Sequence, residues 1–142
     1  MPRRFRCSRK FSSIAHLLTA QALYEAFGRL RKDASEGVDE VTYGDYEKQA
    51  KQTIQHLWEK LKSGKYRAQP LRRIYIPKED GRKRPISIPS LEDKIVQKAT
   101  VQLLNAIYEV DFLPCSYGGR PGKHPHLALD ERARGVRDAD ER

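Results

Sequence analysis

The chain has 142 residues, with 28 Lys and Arg against 19 Asp and Glu, a formal net charge of +9, and 38% hydrophobic residues. Such a length supports one modest core, and such a charge favours polyanionic partners, nucleic acid first among them. No stretch approaches the ~18 uninterrupted apolar residues of a membrane span, and Cys7 and Cys115 match no redox or zinc-ligand spacing, which excludes a transmembrane protein and a disulfide framework.

Residues 1–13 read as a basic N-terminal tail. The opening Met1-Pro2-Arg3-Arg4-Phe5-Arg6 lacks the apolar segment of a secretory signal, so a cytoplasmic location is expected. From Ser13 onward, Leu17, Leu18, Leu23, Tyr24, Phe27 and Leu30 recur at helical spacings and predict a first helix over 14–31. Lys32 to Gly37 is polar and turn-prone, and reads as a flexible connection. Next, Tyr46, Ala50, Ile54, Leu57 and Leu61 step by three or four residues along one stripe of a second helix. Thr42 with Asp45 supplies its N-cap and Gly64 its stop, while Glu47 and Lys51 offer a solvated ion pair on the far face. Trp58 lies beside the stripe, where core packing suits it better than base stacking.

After Gly64 the pattern changes to two β-prone runs, Leu71 to Pro77 and Lys83 to Ile88, joined through Glu79-Asp80-Gly81 as a hairpin. Period-two alternation gathers Ile74, Ile76 and Lys78 on one face of the first strand, and Arg84, Ile86 and Ile88 on one face of the second. Lys78 and Arg84 thereby extend one apolar face at the loop end. There they are able to clamp a phosphate chain, the guanidinium bidentately and the ammonium as a point charge. Arg72, Arg73, Arg82 and Lys83 complete a basic patch opposed only by Glu79 and Asp80. The plain alternative is a solvated hairpin whose charges discourage edge pairing.

Ser90 then caps a third helix, with Glu92 and Asp93 in its first turn, where the macrodipole favours carboxylates. Leu91, Ile95 and Ala99, flanked by Val96, Leu103 and Ile107, give it a wide apolar face to about Tyr108. The following Gly- and Pro-rich loop contains Tyr117, Arg120 and Lys123, suited to a base or to phosphates, but it lacks the ending of a Walker loop. His124 and His126 have no further ligand at a fitting distance, so no metal site is expected. Residues 130–142 mix charges without apolar periodicity and read as a disordered tail, within which Asp138 and Asp140 are solvated charges. The fold class expected is α+β, helices packed around a β-hairpin, with 14–129 as the ordered region.

The order of segments is itself informative. Gly37-Val38-Asp39, then Tyr66 to Lys78, then Asp80 to Pro89, Leu91 to Gln97 and Ser116-Tyr117-Gly118 resemble group II intron reverse transcriptases, or maturases, over roughly residues 15–129. The resemblance implies the N-terminal extension and fingers of a right-hand polymerase, whose hairpin folds over the incoming nucleotide. On that basis Lys78 and Arg84 hold the triphosphate of a dNTP, and Lys65 to Arg73 and Arg120 lie where template or primer RNA passes. Gly119 stands where the family usually has Phe. The family's catalytic aspartates and its Tyr-x-Asp-Asp box are not matched, which implies a truncated, inactive RNA-directed DNA polymerase fragment. No catalytic residue or metal ligand is therefore expected in this chain, although the full-length family uses Mg2+. Its expected partners are RNA, dNTP and a separate palm and thumb polypeptide. The rival expectations are a free-standing RNA-binding module that aids intron RNA folding, and an unstable remnant.

Overall fold

A computed structural model describes the backbone of residues 14–140 and the side chains of residues 14–133. The basic tail at 1–13, Cys7, and the side chains of Asp138 and Asp140 lie outside the described residues. Contacts divide the chain into two compact units at Leu103/Leu104.

The first predicted helix is shorter than its periodicity suggests. A single 3-10 turn, Ala15–Leu17, precedes helix α1, Ala20–Gly28. Thr19 separates them: its backbone is extended and its hydroxyl accepts the Ala22 N–H, so the side chain caps a new helix rather than continuing an old one. Leu23, Ala26 and Phe27 are buried, whereas Leu17 and Tyr24 are exposed.

The second predicted helix is two, α2 (Tyr43–Lys48) and α3 (Ala50–Lys62), with Gln49 between them at φ −128°. The break leaves the apolar stripe intact, since Tyr46, Ala50, Ile54 and Leu57 are all buried. The Thr42 hydroxyl accepts the Asp45 N–H at 3.1 Å and donates to the Asp45 carboxylate at 2.6 Å, the cap that the sequence suggests. The Glu47–Lys51 pair does not form; Glu47 instead lies 3.9 Å from Lys32. Beyond Gly64 the Lys65 and Tyr66 amides both donate to the Lys60 carbonyl and close the helix. Phe27 stacks on Tyr43 with ring centroids 4.4 Å apart, which fixes α1 against the start of α2.

Strands β1 (Arg72–Pro77) and β2 (Lys83–Ile88) form a two-stranded antiparallel sheet. Helix α4, Leu91–Tyr108, starts as expected, with Ser90 Oγ accepting the Asp93 amide at 3.3 Å. Leu91, Ile95 and Ala99 enter the core with α1, α2 and α3. The connection before α2 is tied down: the Lys94 ammonium donates to the Ser35 carbonyl, and Gly37 packs directly on the backbone of Pro89 and Ser90. The expected flexible linker is in fact a pinned one, because α4 supplies the anchor that its own sequence lacks.

In the second unit, helix α5 spans Pro125–Asp140. The segment expected to be disordered from Asp130 is therefore helical through Asp140. Pro125 opens the helix with a φ already suited to it, His124 accepts the Leu127 amide, and Ala, Leu, Glu and Arg favour the helical state. This local propensity outweighs the charge mixture that argues for disorder.

Candidate phosphate and nucleic-acid interface

The hairpin register pairs Arg72 with Ile88, Ile74 with Ile86, and Ile76 with Arg84. Alternation therefore puts Arg72, Ile74, Ile76, Arg84, Ile86 and Ile88 on one face, and Arg73, Tyr75, Pro77, Lys83, Pro85 and Ser87 on the other. The isoleucine face is the inner one: Ile74, Ile86 and Ile88 are half-buried, and Ile76 toward the loop end is 44% exposed. At its base, Arg72, Ile74 and Ile88 line an open cleft of ≈ 480 Å³ with residues 32–36, Thr42 and Tyr43.

Lys78 continues this face into the turn. Its amide donates to the Arg82 carbonyl at 2.8 Å and its carbonyl accepts the Gly81 N–H at 3.0 Å. Gly81, at φ 76°, takes the left-handed conformation that an Asp-Gly turn favours. Within the turn the Arg82 guanidinium donates to Asp80 at 2.7 and 2.8 Å, and this contact holds the Asp80 carboxyl below its ordinary range. Arg82, one of the patch cations singled out by sequence, is thus engaged locally. Arg72, Arg73, Lys78, Lys83 and Arg84 make no ion pair or side-chain hydrogen bond among the described residues. Of the two turn carboxylates, Asp80 is matched by Arg82, while Glu79 makes no ion pair among the described residues.

The base of the hairpin is held by a carboxylate that sequence reading assigned only to the helix dipole. Asp93 is 3% exposed, and it accepts the Tyr66 hydroxyl with one oxygen and the Gln69 amide, at 3.0 Å, with the other. Tyr66 and Gln69 lead directly into β1, so α4 sets where the hairpin emerges. Nothing in the local sequence signals these partners, which lie 27 and 24 residues away.

The loop residues are placed differently from the hairpin cations. The Arg120 side chain is only 9% exposed. It donates to Glu109 at 2.7 and 3.0 Å and to the Leu113 and Ser116 carbonyls at 2.9 and 2.8 Å, with its guanidinium 5.0 Å from the Phe112 ring centre. It is turned inward as the pin of its own loop. The Tyr117 hydroxyl donates to Glu131 of α5, and the Lys123 ammonium lies 5.2 Å over the Tyr117 ring. These residues are brought together around the loop.

Three of the seven tyrosines have phenols held protonated by their surroundings. Burial raises Tyr46; burial, then the Asp93 hydrogen bond, raises Tyr66; the hydrogen bond to Glu131 pushes Tyr117 up to about 12. A raised value in the folded state means stability present below the ordinary phenol value of 10 and lost as pH climbs through the folded value. In a spectrophotometric titration, Tyr46, Tyr66 and Tyr117 are expected to ionise late in the folded protein and near 10 in urea. Tyr117→Phe is expected to remove one late step; an unchanged late amplitude would contradict the assignment.

No protein-family model matches the chain. Among curated proteins it is 42% identical over 93 residues to Protein YkfC of Escherichia coli (strain K12), covering 66% of this chain and 24% of that protein. It is 40% identical over 119 residues to the group II intron-encoded protein LtrA of Lactococcus lactis subsp. cremoris, covering 80% of this chain and 19% of LtrA. It is also 45% identical over 76 residues to an uncharacterized 91 kDa protein in the cob intron of Schizosaccharomyces pombe, covering 54% of this chain and 9% of that protein. The chain thus spans about a quarter or less of the length of these relatives.

Proposed function

Because the chain belongs by homology with the group II intron-encoded proteins, we propose that its hairpin acts as the fingers of an RNA-directed DNA polymerase. In this reading Lys78 and Arg84 hold the triphosphate of an incoming deoxynucleotide, and Arg72, at the base of the same face, contacts the RNA template. The observation that carries the reading is the pair itself. Two cations without ion-pair partners among the described residues extend one face of a hairpin at its loop end, beside apolar Ile76 and Ile86. A guanidinium and an ammonium so placed engage successive phosphates while the isoleucines give the nucleoside an apolar floor. Among the described residues no group of three or more His, Cys, Asp or Glu is placed to hold a metal ion. The reading concerns binding of nucleotide and template.

Equilibrium dialysis of a deoxynucleoside triphosphate against the full chain tests it. Lys78→Ala and Arg84→Ala are each expected to weaken binding about tenfold, the loss of one charge-assisted contact. The corresponding nucleoside, lacking phosphates, is expected to show no difference between wild type and variants. Triphosphate affinity unchanged in the double variant would refute the site. The five hairpin cations Arg72, Arg73, Lys78, Lys83 and Arg84 favour a second reading, an RNA-binding module that aids the folding of intron RNA, since none of them has an ion-pair partner among the described residues. That reading expects RNA affinity to fall with salt by a log–log slope of about −0.7 per neutralised phosphate.

A further inference from the structure

The hairpin leaves its two strand edges unequal. The Lys78 amide donates to the Arg82 carbonyl, so these two form a hydrogen-bonded pair. Alternation along the ladder then makes hydrogen-bonded pairs of Ile76 with Arg84, Ile74 with Ile86 and Arg72 with Ile88. The residues between them direct their backbone groups away from the partner strand. On β1 these are Arg73 and Tyr75, each with an N–H and a carbonyl, followed by the carbonyl of Pro77. On β2 they are Lys83 and Ser87, with Pro85, which has no N–H, between them. None of these outward groups is hydrogen-bonded among the described residues. A proline in mid-strand guards a sheet edge, so β2 is closed to a further strand. On β1 the proline only ends the strand, and the two residues of Arg73 and Tyr75 keep the repeat of donor and acceptor that a third strand needs. Charge then decides what kind of strand is admitted. Arg73 is exposed and has no ion-pair partner among the described residues, and Glu79, which continues its face into the turn, lies at the other end of the strand. A second copy would set one basic strand, with two arginines and no acid, against another, which like-charge repulsion opposes. On the inner face Ile74 is half-buried and Ile76 is 44% exposed, so alternate residues of an added strand would find apolar neighbours there.

We infer that the free edge of β1 takes up an extended acidic segment of a partner protein, added antiparallel as a third strand. Its backbone exchanges hydrogen bonds with Arg73 and Tyr75, and these supply affinity whatever the side chains. An acidic side chain opposite Arg73 and apolar side chains beside Ile74 and Ile76 supply the selectivity. The site runs along the strand edge and uses neither Lys78 nor Arg84, so it stands or falls apart from the nucleotide reading.

The probe is a short fluorescein-labelled peptide in which Val alternates with Thr and, toward one end, with Glu, titrated with the full chain and read by anisotropy. Saturable binding is expected. Lys in place of Glu in the peptide is expected to weaken it about tenfold, and Arg73→Glu in the protein to reverse that preference. Peptides methylated on alternate amide nitrogens separate edge pairing from simple charge attraction. Methyl groups on the Thr and Glu amides, which face β1 when Glu lies opposite Arg73, are expected to abolish binding, and methyl groups on the Val amides to leave it intact. The Lys78→Ala, Arg84→Ala double variant is expected to keep that difference. Bound peptide is also expected to slow hydrogen exchange at the Arg73 and Tyr75 amides and not at those of Lys83 and Ser87. Absence of saturable binding, equal effects of the two methylation patterns, or slowing at Lys83 and Ser87 would overturn the inference. Slowing at Arg73 and Tyr75 on self-association of the chain would make a second copy the occupant, and slowing there by single-stranded RNA but not by the peptide would assign the edge to nucleic acid; either result also overturns it.

Discussion

Replacing Asp93 with alanine is expected to destabilise the protein by about 3 kcal/mol, read as a shift in the midpoint of urea unfolding. The carboxylate is buried and serves two donors from another segment, the Tyr66 hydroxyl and the Gln69 amide. Alanine removes the acceptor of both part-buried donors, and each hydrogen bond to a charged group contributes about 1.5 kcal/mol or more. Asp93→Asn keeps one acceptor oxygen and is expected to cost about half as much. The same variant is expected to loosen the hairpin selectively. Amide hydrogen exchange in β1 should accelerate more than exchange in α3, because Gln69 enters β1 whereas α3 is packed through Ile54 and Leu57. A loss of protection spread evenly over the chain would show that Asp93 serves general stability and not the placement of the hairpin.

Gly37→Ala is expected to be similarly severe, at about 3 kcal/mol, although it adds a single methyl group. The new Cβ would lie 2.6 Å from the Ser90 Cα, 2.8 Å from its nitrogen and 2.9 Å from the Pro89 carbonyl oxygen. All three are backbone atoms, so no rotamer change relieves the clash; the segment 35–37 must lift from the start of α4, where the Lys94–Ser35 hydrogen bond now holds it. Gly28→Ala is the matched control. Nothing lies within 4 Å of the methyl group there, and α1 is expected to gain up to about 1 kcal/mol from the better helix former. Urea unfolding of the two variants should therefore shift in opposite directions, and equal shifts would contradict the close approach at Gly37.

Much of the hairpin was readable before any coordinates. Its turn is local, and alternation of isoleucines with polar residues admits one register, because a slip by one residue would turn the apolar set to solvent. The same is true of the stripe from Tyr46 to Leu61 and of the Thr42 and Ser90 caps, whose partners lie within a turn of helix. The breaks at Thr19 and Gln49 were not readable from apolar spacing, since that pattern survives both. Thr19 did carry a signal, being a capping residue ahead of an alanine-rich turn, but the run of leucines before it concealed the boundary.

The loop shows the opposite case. Arg120 stood in the sequence as a cation among glycines, which reads as a phosphate contact. Glu109, eleven residues earlier, decides its geometry by meeting it at 2.7 Å. Helix α5 shows a third kind of difference, in which the propensity of Ala, Leu, Glu and Arg prevails over a charge pattern suggestive of disorder.

The sequence by itself determined what depends on neighbours a few residues away: helix stripes and caps, the turn, strand parity, the excess of basic charge and the kinship with intron-encoded proteins. Only the tertiary structure decided which groups from distant segments meet: Asp93 with Tyr66 and Gln69, Gly37 with Ser90, Glu109 with Arg120. Those meetings turn one cation inward and leave others open. The physical reason is range. Periodicity and capping are set by backbone geometry within one or two turns, whereas a buried carboxylate takes its partners from whatever the packed core brings beside it.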